Sequence, residues 1–198
     1  RLLVLYDGVR HESQKWGPDH ATEIDPFAAG SVSVIRGAAG ARYGPDAIGG
    51  VILVEPPPLR STAGTGGTLR TAFSSNGLRP YGALRVDSVP STLPKLTFRL
   101  EGNAAQSTSL HAPGYVLGNT ASTIWNAGST IGYRLASGEL RLTLHHYDQR
   151  AGLFYGIQNS SPDEFEAQLQ KETPVNAGLW TSTREIDRPM QDVTHDIA

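Results

Sequence analysis

Cysteine is absent from the chain. That excludes a disulfide framework and thiolate metal sites, and it fits an oxidising compartment where stray thiols are a liability. Long apolar runs are missing too: the longest, around Gly49 to Val54, falls far short of the roughly 18 residues that mark a membrane-spanning helix. There is no cationic excess. With 17 Lys and Arg against 19 Asp and Glu the formal net charge is -2, which leaves no basic footprint for nucleic acid. No nucleophile elbow, Walker loop or His-Glu-x-x-His helix occurs, so an enzyme ranks last among the functional classes. The chain opens on Arg1 with no initiator Met, charged leader or apolar leader core, and so reads as the interior of a longer precursor. What is present is glycine, 22 residues of it, with a mean hydropathy of -0.29. These values argue against a helical membrane protein but not against a membrane barrel, which exposes apolar side chains only at alternate positions.

Two regions differ in pattern. In residues 1–60, Leu2 to Tyr6 reads as a short buried-type strand, Asp7-Gly8 as a two-residue hairpin turn and Val9-Arg10 as the return strand. Asp25-Pro26 looks like a helix cap with proline at the first helical position, opening a short turn through Phe27 to Ala29. Val32 to Ile35 and Val51 to Val54 are two further strands, joined by a glycine-punctuated stretch. The Pro56-Pro57-Pro58 run breaks regular structure, and residues 61–67 read as a flexible linker.

From Thr68 the pattern becomes alternation with a period of two. Leu69, Thr71 and Phe73 share a face, Leu84 and Val86 oppose Arg85 and Asp87, and Leu96, Phe98 and Leu100 oppose Thr97, Arg99 and Glu101. Ile131, Tyr133 and Leu135 oppose Thr130 and Arg134; Leu140, Leu142 and Leu144 oppose Arg141, Thr143 and His145. A sixth strand begins near Met190. Trp125 and Tyr147 stand near strand ends, as interfacial aromatics of a barrel do. Connections at Asn76-Gly77 and Ala136 to Gly138 are tight, whereas 111–121 and 150–185 are long. Periodicity alone does not separate a membrane barrel from a soluble β-sandwich.

The segment Ser33 to Val54 reads SVIRGAAGARYGPDAIGGVILV. It resembles the end of the plug domain of TonB-dependent receptors, in which a strand ending in Arg-Gly, a helical turn ending in Tyr-Gly and an Ala-Ile-Gly-Gly-Val-Ile run recur in this order. Here those positions are Arg36, Gly37, Arg42, Tyr43, Gly44, Gly49 and Gly50. Gly37-Ala38-Ala39-Gly40 departs from the commoner Arg-Gly-Pro version but keeps small residues at the turn. Leu5 to Arg10 is similar to the family's preceding hairpin, and Glu185 to Val193 to the start of a barrel strand.

The resemblance implies an α+β plug fragment followed by an all-β antiparallel meander from a transmembrane barrel. The expected divisions are the C-terminal part of the plug over 1–60, a linker over 61–67 and the first barrel strands over 68–198. It further implies a receptor of the Gram-negative outer membrane that imports a scarce solute, whether metal ion, iron chelate, cobalamin or glycan, without a cofactor. Its partners would be outer-membrane lipid and the TonB energy-transducing complex. A glycan-binding or adhesin-like receptor on the same scaffold is the alternative. Glycines 37, 44, 49 and 50 would serve tight turns and close packing, and Arg36 and Arg42 would pair with wall carboxylates such as Asp87 and Glu101.

The polar stretch His11 to Asp25 is long and carries Trp16. It resembles a segment in a subset of these receptors, some linked to zinc uptake. His11, Glu12, Trp16, Asp19, His20 and Glu23 are the expected solute contacts, with His111 joining from an outer loop. His11, His20 and Glu23 form the candidate metal set, since imidazole and carboxylate suit Zn²⁺ or Cu²⁺. His145 and His146 point to opposite faces of one strand and cannot chelate together.

Overall fold

The computed structural model describes residues 2–11, 29–113, 115–152, 162–170 and 189–197. The chain divides into two compact units, Arg1–Arg60 and Ser61–Ala198.

The first unit is a four-stranded sheet built from β1 (Leu3–Tyr6), β2 (Val9–His11), β3 (Ser31–Ile35) and β4 (Val51–Glu55), in the order β2-β1-β4-β3. Asp7 and Gly8 both take positive φ, 47° and 79°, which is the type I′ geometry that matches strand twist. β1 runs parallel to β4, with Leu3 opposite Val51 and Tyr6 opposite Val54. These two central strands supply most of the buried apolar residues, Leu3 and Val4 from β1 and Val51 and Val54 from β4. The edge strand β3 leaves Val32 and Val34 exposed. The core gathers Leu3, Ala47 and Val51 with Leu5, Ile35, Tyr43 and Leu53 packed around them. Two short 3-10 turns, Gly37–Tyr43 and Pro45–Ala47, carry the chain from β3 to β4. The second closes where the Gly50 N–H donates to the Ala47 carbonyl at 2.9 Å. Gly50 has φ 125°, and a Cβ there would stand 2.9 Å from the Ile35 carbonyl oxygen. Only glycine fits this corner. The expected cap at Asp25-Pro26 and its helical turn lie outside the described residues, apart from Ala29.

The second unit is a six-stranded antiparallel sheet. Its strands are β5 (Gly64–Ser74), β6 (Arg79–Val89), β7 (Leu96–Ser107), β10 (Ser122–Leu135), β11 (Gly138–Gly152) and β12 (Pro189–Ile197), which neighbour one another in chain order. Between β7 and β10 lies a small hairpin, β8 (His111–Ala112) with β9 (Tyr115–Val116), and before β12 a two-turn helix, α1 (Pro162–Leu169). β5 starts at Gly64, inside the stretch expected to be linker, because Thr65, Gly66 and Gly67 find partners in Ser88, Asp87 and Val86. Cross-strand pairing outweighs the low strand propensity of glycine.

Register decides the faces. Leu69 stands opposite Leu84, Leu84 opposite Gly102, Gly102 opposite Ala127; likewise Phe98 faces Ile131 and Ile131 faces Leu142. This face is apolar and exposed: Leu69 is 71% accessible, Leu100 65% and Leu142 59%. The other face is polar and buried, with Thr97 at 1%, Arg99 at 3% and Asn126 at 4%. A sandwich strand does the reverse, packing its apolar face on a second sheet. Each leucine left in water would forfeit about 2 kcal/mol of burial, so the sheet is one whose apolar face meets a non-aqueous medium. No helix among the described residues is long and apolar enough to cross a membrane.

One expected girdle residue is misplaced. Trp125 is on the apolar face and 44% exposed, but Tyr147 stands opposite Asn126 on the polar face and is 2% exposed. The period of two requires this, since Leu144 and His146 point the other way.

Candidate functional site

Chemistry-bearing side chains fall into three groups. The first belongs to the plug-like unit. Arg10, next to the hairpin turn, pairs with Asp46 of the second 3-10 turn. Arg42 donates to the Tyr43 hydroxyl at 2.8 Å and lies over the Tyr43 ring at 4.8 Å, a cation–π contact within the first turn. Arg36 is exposed and caps the same turn with extended backbone angles. Tyr43 is half-buried against the core, Gly44 takes φ 100° and Gly37 φ 67°, while Gly49 is exposed in the turn before Gly50.

The second group lines the polar face of the six-stranded sheet. β6 carries Arg85 and Asp87, and β7 carries Arg99 and Glu101. Antiparallel register sets Arg85 against Glu101 and Asp87 against Arg99. Arg85 Nε donates to Glu101 at 3.0 Å; Arg99 donates to both oxygens of Asp87, at 2.6 and 2.9 Å. The charges alternate in both directions, so each group is flanked by its opposite. The ladder continues through Asn126 to Asn103 at 3.0 Å and Thr130 to Thr143 at 3.3 Å. Asp87 and Glu101, the carboxylates expected to face plug arginines, are each engaged by an arginine of the neighbouring strand. That pairing was legible in the sequence, because Arg-x-Asp on one strand followed by Arg-x-Glu on the next becomes complementary once the strands run antiparallel.

The third group is at one end of the sheet, where His111 sits exposed on β8. The Asn76 carboxamide grips its main chain, Nδ2 donating to the His111 carbonyl at 2.9 Å and Oδ1 accepting from the His111 N–H at 2.7 Å. Sequence reasoning saw Asn76 only as a turn residue. The opposite end holds the tight Ala136-Ser137 turn and Arg134, whose guanidinium donates to the Ser61 carbonyl at 2.5 Å and to that of Pro94.

Of the expected solute loop, the structure places His11 at the end of β2, opposite Val4. Glu12, Trp16, Asp19, His20 and Glu23 lie outside the described residues. Among the described residues no group of three or more His, Asp or Glu side chains could hold a metal ion.

The comparison with known proteins bears on the first group. Residues 1–51 match the family described as the TonB-dependent Receptor Plug Domain. Residues 1–51 are a plug segment of that family. A curated relative, the vitamin B12 transporter BtuB of Vibrio vulnificus (strain YJ016), is 45% identical over 56 residues, 28% of this chain and 9% of its own. Among solved structures, the copper transporter OprC superposes with a TM-score of 0.65 at 23% identity, covering 76% of this chain and 23% of its own. The siderophore receptor PirA of Acinetobacter baumannii gives 0.56 at 20% identity, over 78% of this chain and 24% of its own. These structures share the fold, including the run of antiparallel strands. The chain spans about a quarter of their length. It is an outer-membrane protein of a Gram-negative bacterium, which accounts for the exposed leucines of its sheet.

Proposed function

We propose that the chain is the plug-to-barrel portion of an importer that binds a scarce external solute and takes it up with energy delivered by the TonB complex. In this reading the first unit is the C-terminal part of the plug and the second the opening strands of the barrel. The pull of the TonB complex acts on a segment that precedes the plug sequence in such receptors. The observation that carries the reading is the succession, in one chain, of plug sequence over residues 1–51 and a sheet with its apolar face exposed. His11, Glu12, Trp16, Asp19, His20 and Glu23 supply solute contacts from the plug, and His111 supplies one from the rim. His11, His20 and Glu23 offer borderline donors to a metal ion. Cobalamin is the first solute to try, because the 45% identical relative is a vitamin B12 transporter.

The test is accumulation of radiolabelled cobalamin, Zn²⁺ and Cu²⁺ in cells expressing the full-length receptor, with and without TonB. Uptake of one of them that vanishes without TonB supports the proposal. Binding with no TonB-dependent accumulation would instead favour a surface receptor on the same scaffold. Zn²⁺ binding that survives both His11→Ala and His20→Ala would remove the plug loop from any metal site.

A further inference from the structure

Three segments remote in sequence meet at the His111 end of the sheet. In the β5–β6 turn Leu78 N–H donates to the Ser75 carbonyl at 3.2 Å, and the Gly77 carbonyl accepts the Thr108 N–H at 2.7 Å. A Cβ on Gly77 would stand 2.9 Å from Leu110 Cδ2, so the loop after β7 is seated on this turn with no room for a side chain between them. The loop is also tied internally. Leu117 N–H donates to the Leu110 carbonyl at 2.8 Å, Leu110 N–H to Thr120 Oγ1 at 2.7 Å, and Thr120 Oγ1 to the Leu117 carbonyl at 2.7 Å. From the third segment Gly152 N–H donates to the Ala121 carbonyl at 2.9 Å. Ser109 and Ala121 are fully buried inside this cap.

Asn76 joins the turn to this loop through both main-chain groups of a single residue, His111. A neighbouring strand makes the same pair of bonds. A carboxamide can do so because it carries a donor and an acceptor on one planar group.

We propose that Asn76 is a positioning residue for solute capture: it holds the backbone of His111 so that the exposed imidazole is presented from a loop already formed before solute arrives. This rests on the reading of the chain as a solute receptor with His111 at its rim. A preformed loop adds no ordering cost to binding. It also means that this loop stays in place when solute binds.

The experiment uses the full-length receptor in lipid. Hydrogen–deuterium exchange without solute should show the His111 and Thr108 amides protected like those of β7. Asn76→Ala should speed exchange at His111 by about 10-fold or more through loss of both bonds. Asn76→Asp should do the same, since it keeps the acceptor but sets a carboxylate against the His111 carbonyl. Binding is then measured with cyanocobalamin, Cu²⁺ and Zn²⁺ as probes. For whichever binds, Asn76→Ala should weaken affinity by roughly 10-fold, and the same change should have no effect in a His111→Ala background. Unprotected His111 exchange in the wild type, or an Asn76→Ala effect undiminished in the His111→Ala background, overturns the proposal. A wild-type receptor that binds none of the probes while its exchange pattern is as expected locates the failure in the choice of solute and denies Asn76 a part in capturing these.

Discussion

Replacing Asp87 with asparagine removes one charge from the four-residue checkerboard of β6 and β7, and the structure sets the size of the effect. Arg99 has a side chain only 2% exposed and gives two bonds to Asp87, whose side chain is 17% exposed. Breaking a buried ion pair by removing one partner costs about 3–5 kcal/mol. The substituted carboxamide would still accept one bond and the site is not fully closed, so about 2–3 kcal/mol is expected. Glu101→Gln acts at a more open place, where both side chains are 13% exposed and Arg85 bonds Glu101 at 3.0 Å, and should cost about 1–2 kcal/mol. Replacing Arg99 and Asp87 together by methionine and leucine should recover most of the loss, because no charge is left buried alone. The assay is urea unfolding of the full-length receptor in lipid vesicles, followed by tryptophan fluorescence. An Asp87→Asn variant within about 0.5 kcal/mol of wild type, or one no worse than Glu101→Gln, would refute the reasoning.

Gly50→Val should destabilise the plug-like unit by about 3 kcal/mol or more through its positive φ and the contact with the Ile35 carbonyl; limited proteolysis should then cut residues 1–60 while the barrel strands stay intact. Leu144→Arg, near the middle of β11 on the exposed apolar face, should cost about 2–4 kcal/mol in lipid, and Leu135→Arg at the strand end about 0–1 kcal/mol. Equal costs at the two positions in vesicle unfolding would contradict a bilayer around this face.

How far the fold could be read from the sequence follows from what each element depends on. Leu96, Phe98 and Leu100 against Thr97, Arg99 and Glu101 is a local period-two signal, so the six sequential strands were legible. The same parity, followed strictly, would have placed Tyr147 on the polar face; its aromatic character near a strand end suggested the girdle instead. β8, β9 and α1 were read as loop, since two-residue strands and a two-turn helix carry little periodicity. The parallel pairing of β1 with β4 depends on contacts between residues far apart in the chain, which no local pattern encodes. At the site, the plug motif around Arg36 to Gly50 was recognisable, but its role for Arg42 was not: the guanidinium settles on its neighbour Tyr43. The Asn76 grip on His111 spans two connections at one end of the sheet, and Asn-Gly in a hairpin is such a common turn signal that a second task for the side chain left no trace.

The central claim is that the leucine-bearing face of the sheet meets lipid. Nitroxide labels placed one at a time at positions 97–100, 130, 131, 142 and 143 of the full-length receptor in vesicles test it directly, through collision rates with oxygen and with a water-soluble nickel complex. Oxygen should reach labels at Phe98, Leu100, Ile131 and Leu142 freely while the nickel complex does not, and both should fall at Thr97, Arg99, Thr130 and Thr143. Free access of the nickel complex to Leu100 and Leu142, or no alternation along β7, would contradict the account.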